Sequence, residues 1–394
     1  MFVELHILQN FAPSNLNRDD TNAPKDCEFG GYRRARISSQ AIKRAMRRAF
    51  EQRNLVDEAH RAARTKRLHD ELVRRFTEAG KPAEDASRVV EAAVQGLGLK
   101  FQAQKSDDEE KKTQYLLFLG KQEIDQLAQV CLDNWDALLG VAPGEAAGAG
   151  RGAKRAAAAA VPKEVQNALQ GVLDGGKAAD VALFGRMLAD LPQRNVDAAS
   201  QVAHAISTNR VSTEFDFYTA VDDFKPEDTE GADMMGTVEF NSACFYRYAN
   251  VDLGQLARNL GDDAELVQKT LEAFIRAAVV AIPTGKQNSM AAQNPPSFVL
   301  AVVREDGLWS LANAFLKPVT PSATADLVTR SEQALASYWE QLATMYGTDG
   351  VRGAWFISLD GAGLEQLAAS GVVRVANLSQ LVANVTAAAN GSPA

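Results

Sequence analysis

Seven cationic side chains and no acidic one fall between Gly31 and Phe50: Arg33, Arg34, Arg36, Lys43, Arg44, Arg47 and Arg48. The chain as a whole carries a net charge of −8. A local field opposite in sign to the rest of the molecule is what holds a polyanion. Guanidinium and ammonium groups bind phosphate oxygens through charge-assisted hydrogen bonds and need no base edge to do so. Ser38 and Ser39 stand just ahead of the cationic run, and a helix start with hydroxyls and unpaired N–H groups is a ready phosphate site. Arg33, Arg34 and Arg36 are expected to reach it from a loop that Gly30 and Gly31 allow to turn tightly or to approach a ligand closely.

Other chemistries find little support. Gly285-Lys286 suggests a phosphate loop, but Val280 and Gln287 stand where that motif needs Gly and Ser or Thr. No GxGxxG, HExxH or GxSxG pattern occurs. The aromatic signature of a standard RNA-recognition sheet is missing. Asp19-Asp20 and Asp222-Asp223 are the acidic pairs that could bind a metal, yet neighbours in a strand point to opposite faces, so one pair alone makes a poor site. Turn formation, capping or salt bridging is their more ordinary use. Cys27, Cys131 and Cys244 are odd in number and far apart, forming neither a disulfide framework nor a zinc knuckle. No cofactor and no metal are expected.

The cations need a scaffold. Ile42, Ala45, Met46 and Ala49 recur at i, i+3, i+4 and i+7, which predicts an amphipathic helix with Lys43, Arg44, Arg47 and Arg48 on its other side. At 46% hydrophobic and 23% charged residues the 394-residue chain is ordinary globular material, with length enough for two or three structural units. The first 76 residues hold sixteen Lys and Arg against ten Asp and Glu, a net of +6, which leaves −14 for the remainder. No apolar run is long enough for a membrane span, and no secretory leader pattern opens the chain, so the cytoplasm is the expected compartment and no membrane partner is expected.

Along the chain, Phe2 to Phe11 reads as a strand that includes His6, whose ordinary use there is packing and whose other use would be catalysis. Residues 12–28 form a polar loop containing LNRDD and Lys25. Residues 55–140 look mostly helical, with 57–79 helical throughout, and 143–160 is a Gly/Ala-rich low-complexity loop. Ala179 to Leu188 reads as a strand. Thr213 to Asp222 and Thr237 to Ala249 alternate as two strands of a long aromatic hairpin. Pro283 to Pro296 is a loop, and the remainder alternates helices with strands at 297–304 and 354–359. The interleaving points to an α/β or α+β core carrying insertions.

At LNRDD, FGGYRRARISSQ and KRAMRR the sequence resembles the CasC family, the backbone subunit of the type I-E CRISPR Cascade complex. The likeness continues at VALFGRM, AHAISTNRV, DFYTAVDDF, FYRYANVDL, the GKQ loop and LANAF, in order and over most of the chain. It is weakest in the helical segment and the Gly/Ala-rich loop. The resemblance implies an α+β fold with an RRM-like (ferredoxin-like) palm, a helical fingers insertion and a β-hairpin thumb. By that division residues 1–54 begin the palm and 55–178 are the fingers. Residues 179–250 supply a palm strand and the thumb, and 251–394 complete the palm.

It implies no enzymatic activity. By the same resemblance, several copies are expected to polymerise head to tail along the spacer of a CRISPR RNA (crRNA), beside other Cascade subunits. They are expected to displace one nucleotide at intervals and to present the guide to target DNA, which a recruited helicase–nuclease would cut. By position, Arg18, Lys25, Ser38, Gln40, Lys43, Arg47 and Lys286 are expected to contact the RNA backbone. Met187 corresponds to the residue beside the displaced base, and Phe217, Tyr218, Thr219 and Val221 to the thumb surface. Arg33, Arg34, Arg36, Arg44 and Arg48 are left to shape the field or meet target DNA. The residues by themselves leave two other readings open: a metal-dependent RNA nuclease using Asp19, Asp20, Asp222 and Asp223, and an acidic globular protein whose basic face docks an acidic partner.

Overall fold

The computed structural model describes residues 1–103, 110–141, 161–220 and 234–391. Its strands are β1 (Phe2–Ser14), β2 (Asp26–Phe29), β3 (Tyr32–Ile37), β4 (Ala62–Thr65), β5 (Leu117–Gly120), β6 (Ser200–Val202) and β7 (Ala205–Ser207), then β8 (Glu214–Ala220), β9 (Met234–Asp252), β10 (Phe298–Arg304), β11 (Val351–Ser358) and β12 (Val373–Arg374). The fold is α+β, and the chain divides into two compact units.

The first unit comprises Met1–Leu55, Ser200–Gly254 and Gln268–Ala394. It is built on a sheet in the order β12-β11-β10-β1-β9-β7-β3-β2, with β6 and β8 also paired to β9. Every pairing is antiparallel except β11 with β12. All seven residues of β10 are buried, as befits a strand covered on both faces. Phe298, Leu300 and Val302 pack with Leu335 and Trp339 of the helix Leu327–Tyr346. His6 is buried beside Tyr246, its Nδ1 2.9 Å from the phenol oxygen, and burial pushes its pKa down to about 3. It is a neutral packed imidazole, the more ordinary of its two readings. Glu4 is likewise internal, accepting from Arg304 at 3.1 Å, from Tyr248 at 2.7 Å and from the Trp309 backbone N–H at 2.7 Å.

A second buried carboxylate carries a pH prediction. Glu332 accepts from the Ser358 hydroxyl at 2.8 Å. Burial, with Asp360 and Asp326 adding repulsion, raises its pKa to about 7. Because the folded state holds this proton more tightly than the unfolded chain, Glu332 makes stability fall as pH rises from about 4.5 to 7. Thermal melting across that range is expected to show the fall, and Glu332→Gln to flatten it. An unchanged slope in the variant would refute the assignment.

The second unit comprises Val56–Ala199 and Gln255–Val267. Phe76, Val90, Val94, Leu127 and Leu138 share its core, and Trp135 meets Phe76 edge-on at 5.4 Å. Two expectations are corrected here. Residues 57–79 are not one helix: a short turn at Glu58–His60 leads into β4, which pairs with β5, and the helix runs only over Leu68–Glu78. The expected palm strand at 179–188 is instead a helix, Ala179–Phe184. All six of its residues are buried, Asp180 included, so no exposed face marks the run and its periodicity could not separate strand from helix. Gly185, at φ +75°, ends it. Among the described residues no helix is long and apolar enough to cross a membrane.

Candidate nucleic-acid interface

The cationic run folds as a hairpin followed by a helix. β2 and β3 pair from Asp26↔Ala35 to Phe29↔Tyr32, so Gly30 and Gly31 form a two-residue turn at φ +62° and +78°. Both central residues need positive φ in such a turn, which explains the paired glycines. Arg33, Arg34 and Arg36 therefore lie on a strand, not a loop. Arg34 is not available to a ligand: it is fully buried, and its guanidinium donates to the carbonyls of Ser207, Thr208, Phe315 and Leu316. It is a structural cation that ties β3 to two distant segments. Arg33 pairs with Asp26. Arg36 donates to the Asp26 carbonyl and meets His204 Nδ1 at 3.0 Å.

Helix α1 spans Ser39–Gln52 and buries Ile42, Ala45, Met46, Ala49 and Phe50, the apolar face its spacing predicts. Ser38 is its N-cap, its hydroxyl accepting from the Ala41 N–H at 3.3 Å. The Ser38 N–H donates to Asn17 Oδ1 at 2.8 Å, which fastens the helix start to the LNRDD loop. Ser38 is buried and Gln40 exposed. Lys43 and Arg47 are half-buried on one outward stripe, with Arg44 and Arg48 exposed on the next.

The LNRDD loop is shaped by its own polar groups. Asp19 Oδ1 accepts from Thr21 N–H, the Thr21 hydroxyl and Ala23 N–H. These bonds, the Thr21 hydroxyl first, hold its pKa below the ordinary carboxylate range. This is turn formation, as its residue type favours. Among the described residues no group of three or more His, Cys, Asp or Glu side chains could hold a metal ion. Asp222 and Asp223 lie outside the described residues. Arg18 Nη1 donates to Asn22 Oδ1 at 3.2 Å. Lys25 is half-buried and lines a small crevice with Arg36 and Asn241.

The GKQ loop meets LNRDD through a close backbone contact. A Cβ at Gly285 would lie 2.4 Å from the Leu16 carbonyl oxygen. Gly285→Ala is therefore expected to push Pro283–Lys286 away from Leu16. Faster amide hydrogen exchange in that loop would check it, and wild-type exchange would contradict it. Lys286 is half-buried with φ +50°. Together the two loops and α1 enclose a cleft of about 360 Å³, lined by Arg18, Asp19, Asn22, Arg44, Arg48 and Thr284 among others. The sequence reading placed Arg18 and Lys286 in one set with Lys43 and Arg47. Arg44 and Arg48, which that reading left to shape the field or meet target DNA, line the cleft, and Lys43 and Arg47 lie on the neighbouring stripe of α1.

The aromatic hairpin forms as expected, β8 pairing with β9 from Glu214↔Phe240 to Ala220↔Met234. Phe215 and Phe217 are exposed on one face, at 68% and 63%. Tyr218 lies on the other face, its ring over Gly236, where a Cβ would come within 2.5 Å of the hydroxyl. Thr219 is exposed and shares the Phe217 face. Val221 lies outside the described residues. Phe215 was not among the expected site residues, although its period-two spacing from Phe217 places it on that face.

Among the described residues of the second unit, Met187 is the most exposed large apolar side chain, at 82%. The residue before it explains why. Arg186 and Glu123 form a fully buried ion pair at 2.7 Å. Arg186 also donates to the Leu173 and Arg194 carbonyls. Glu123 also accepts from the Gly120 and Gly175 N–H groups. With Gly185 turning the chain and Arg186 drawn inward, Met187 is carried out to solvent.

These features can be set beside known proteins. The family model described as CT1975-like protein matches residues 3–384. No curated protein matches the chain. A chain from a solved structure described as a CRISPR RNA-guided surveillance complex, pre-nicking, is 32% identical, with a TM-score of 0.85 over 99% of this chain and 100% of its own. A second, from a CRISPR RNA-guided surveillance complex, is 28% identical, with a TM-score of 0.75 over 98% of this chain and 100% of its own.

Proposed function

Since the chain belongs to the family of CT1975-like proteins, we propose that it is a subunit of a CRISPR RNA-guided surveillance complex and forms that complex's non-catalytic, RNA-binding backbone. The observation that carries this reading is the gathering of Arg18, Arg44, Arg48 and the GKQ loop at one cleft beside Lys43 and Arg47. Such a surface grips phosphates and carries no array for reading bases.

On this reading the complex is Cascade of type I-E in the cytoplasm, and copies of the chain polymerise head to tail along a crRNA. The first unit is the palm and thumb and the second the fingers. Lys25, Ser38, Gln40 and Lys286 join Arg18, Lys43 and Arg47 along the guide, with Ser38 contributing through the helix start that it caps. Met187 wedges beside a displaced nucleotide, and the Phe217 face of the hairpin passes over the strand, an apolar contact that every base tolerates. Target DNA then pairs with the guide, other Cascade subunits complete the particle, and a recruited helicase–nuclease performs the cutting.

The test is to purify the protein from cells carrying a CRISPR array, extract its nucleic acid and sequence it. Spacer-containing RNA, intact after incubation with Mg²⁺, is expected. Absence of RNA together with no RNA binding at low salt would overturn the proposal, as would Mg²⁺-dependent cleavage lost on Asp19→Asn.

A further inference from the structure

Two stripes of cations run along α1, and only the Arg44–Arg48 stripe lines the cleft. Residues 44 and 48 are turned about 100° around the helix from 43 and 47. The first pair opens onto the cleft of about 360 Å³. That volume lies within the roughly 300–1,000 Å³ span of small-ligand sites. Arg44 and Arg48 are exposed, and neither is paired with another described residue. Arg18 adds a third guanidinium at the rim. The acid present, Asp19, has one carboxylate oxygen committed to three hydrogen bonds inside its own turn. The cleft therefore holds an excess of positive charge, with Asn17, Asn22 and Thr284 as neutral polar groups around it.

We propose that this cleft is a separate seat for one phosphodiester-linked nucleotide of a nucleic-acid strand, its phosphate held between Arg44 and Arg48. The inference rests on the RNA-binding reading above and adds to it a second point of grip, away from the Lys43–Arg47 stripe. Two strands carry the required chemistry, the guide RNA and the target DNA paired to it.

The experiment uses the full-length Arg44→Gln/Arg48→Gln variant in two arms. One arm titrates single-stranded RNA across a range of salt concentrations. The other measures capture of complementary single-stranded DNA by RNA-loaded protein. Melting temperature checks the fold, and Arg44→Lys/Arg48→Lys is expected to restore binding in part. The expected result is a loss of about tenfold in one arm; if that is the RNA arm, the log–log salt slope is reduced by ~0.7, the value for one phosphate contact on a single strand. Loss in the RNA arm assigns the seat to the guide; loss only in the DNA arm assigns it to the target. Wild-type behaviour in both arms overturns the proposal. A wild-type protein that binds no RNA at all would show instead that the functional reading beneath it has failed.

Discussion

Replacing Arg186 by alanine is expected to destabilise the second unit by about 3–5 kcal/mol, the usual cost of leaving one charge of a buried pair alone. Both side chains of the Glu123–Arg186 pair are wholly inaccessible. Glu123 would keep its two backbone donors but lose its cation, and the Leu173 and Arg194 carbonyls would lose their donor. Hydrogen exchange gives the most local readout. Amides of the helix Lys121–Asp133 should lose protection while those of β1 in the first unit keep theirs. Pairing Arg186→Met with Glu123→Leu removes both charges and should recover only part of the loss, because the backbone groups that the pair satisfies stay unpaired. A loss under about 1 kcal/mol for Arg186→Ala would refute the account of how Met187 is positioned. Met187→Ala, at an exposed site, should shift stability by no more than about 0.5 kcal/mol.

The second large effect concerns Lys43 and Arg47. Reversing both to glutamate removes two cations from one helix stripe and places two anions there. RNA affinity at low salt is expected to fall about a hundredfold or more, by a similar factor for unrelated sequences, because phosphate contacts carry no sequence information. Filter binding with two RNAs of different sequence would measure this, with circular dichroism to verify that α1 is retained. Unaltered affinity would remove Lys43 and Arg47 from the interface. A loss confined to one RNA would contradict backbone recognition.

The legible parts of the molecule are those set by local periodicity. The apolar spacing of Ile42, Ala45, Met46 and Ala49 specified α1, and Ser38 and Ser39 marked its start, Ser38 as the cap and Ser39 as the first helical residue. Alternation gave β1 and the β8–β9 hairpin. The family, too, was legible from the ordered motifs. What stayed hidden depends on segments far apart in the chain. Arg34 reads as one more cation of a basic run, and only the carbonyls at Ser207, Thr208, Phe315 and Leu316, up to 282 residues away, show it to be internal. The third wall of the cleft, Pro283 to Gly285, arrives in the same way, seated on the Leu16 backbone because Gly285 has no side chain. Residues 179–184 misled for a different reason, since a run buried on every side has no periodicity to read.

The central claim is that this chain holds single-stranded RNA by its backbone. The most direct test is the affinity of the full-length wild-type protein for two unrelated RNAs of equal length, measured from low to high salt. The account predicts straight log–log lines of equal slope for the two RNAs, falling by ~0.7 for each phosphate contact. A salt-independent affinity, or slopes and affinities that differ strongly between the two sequences, would contradict it.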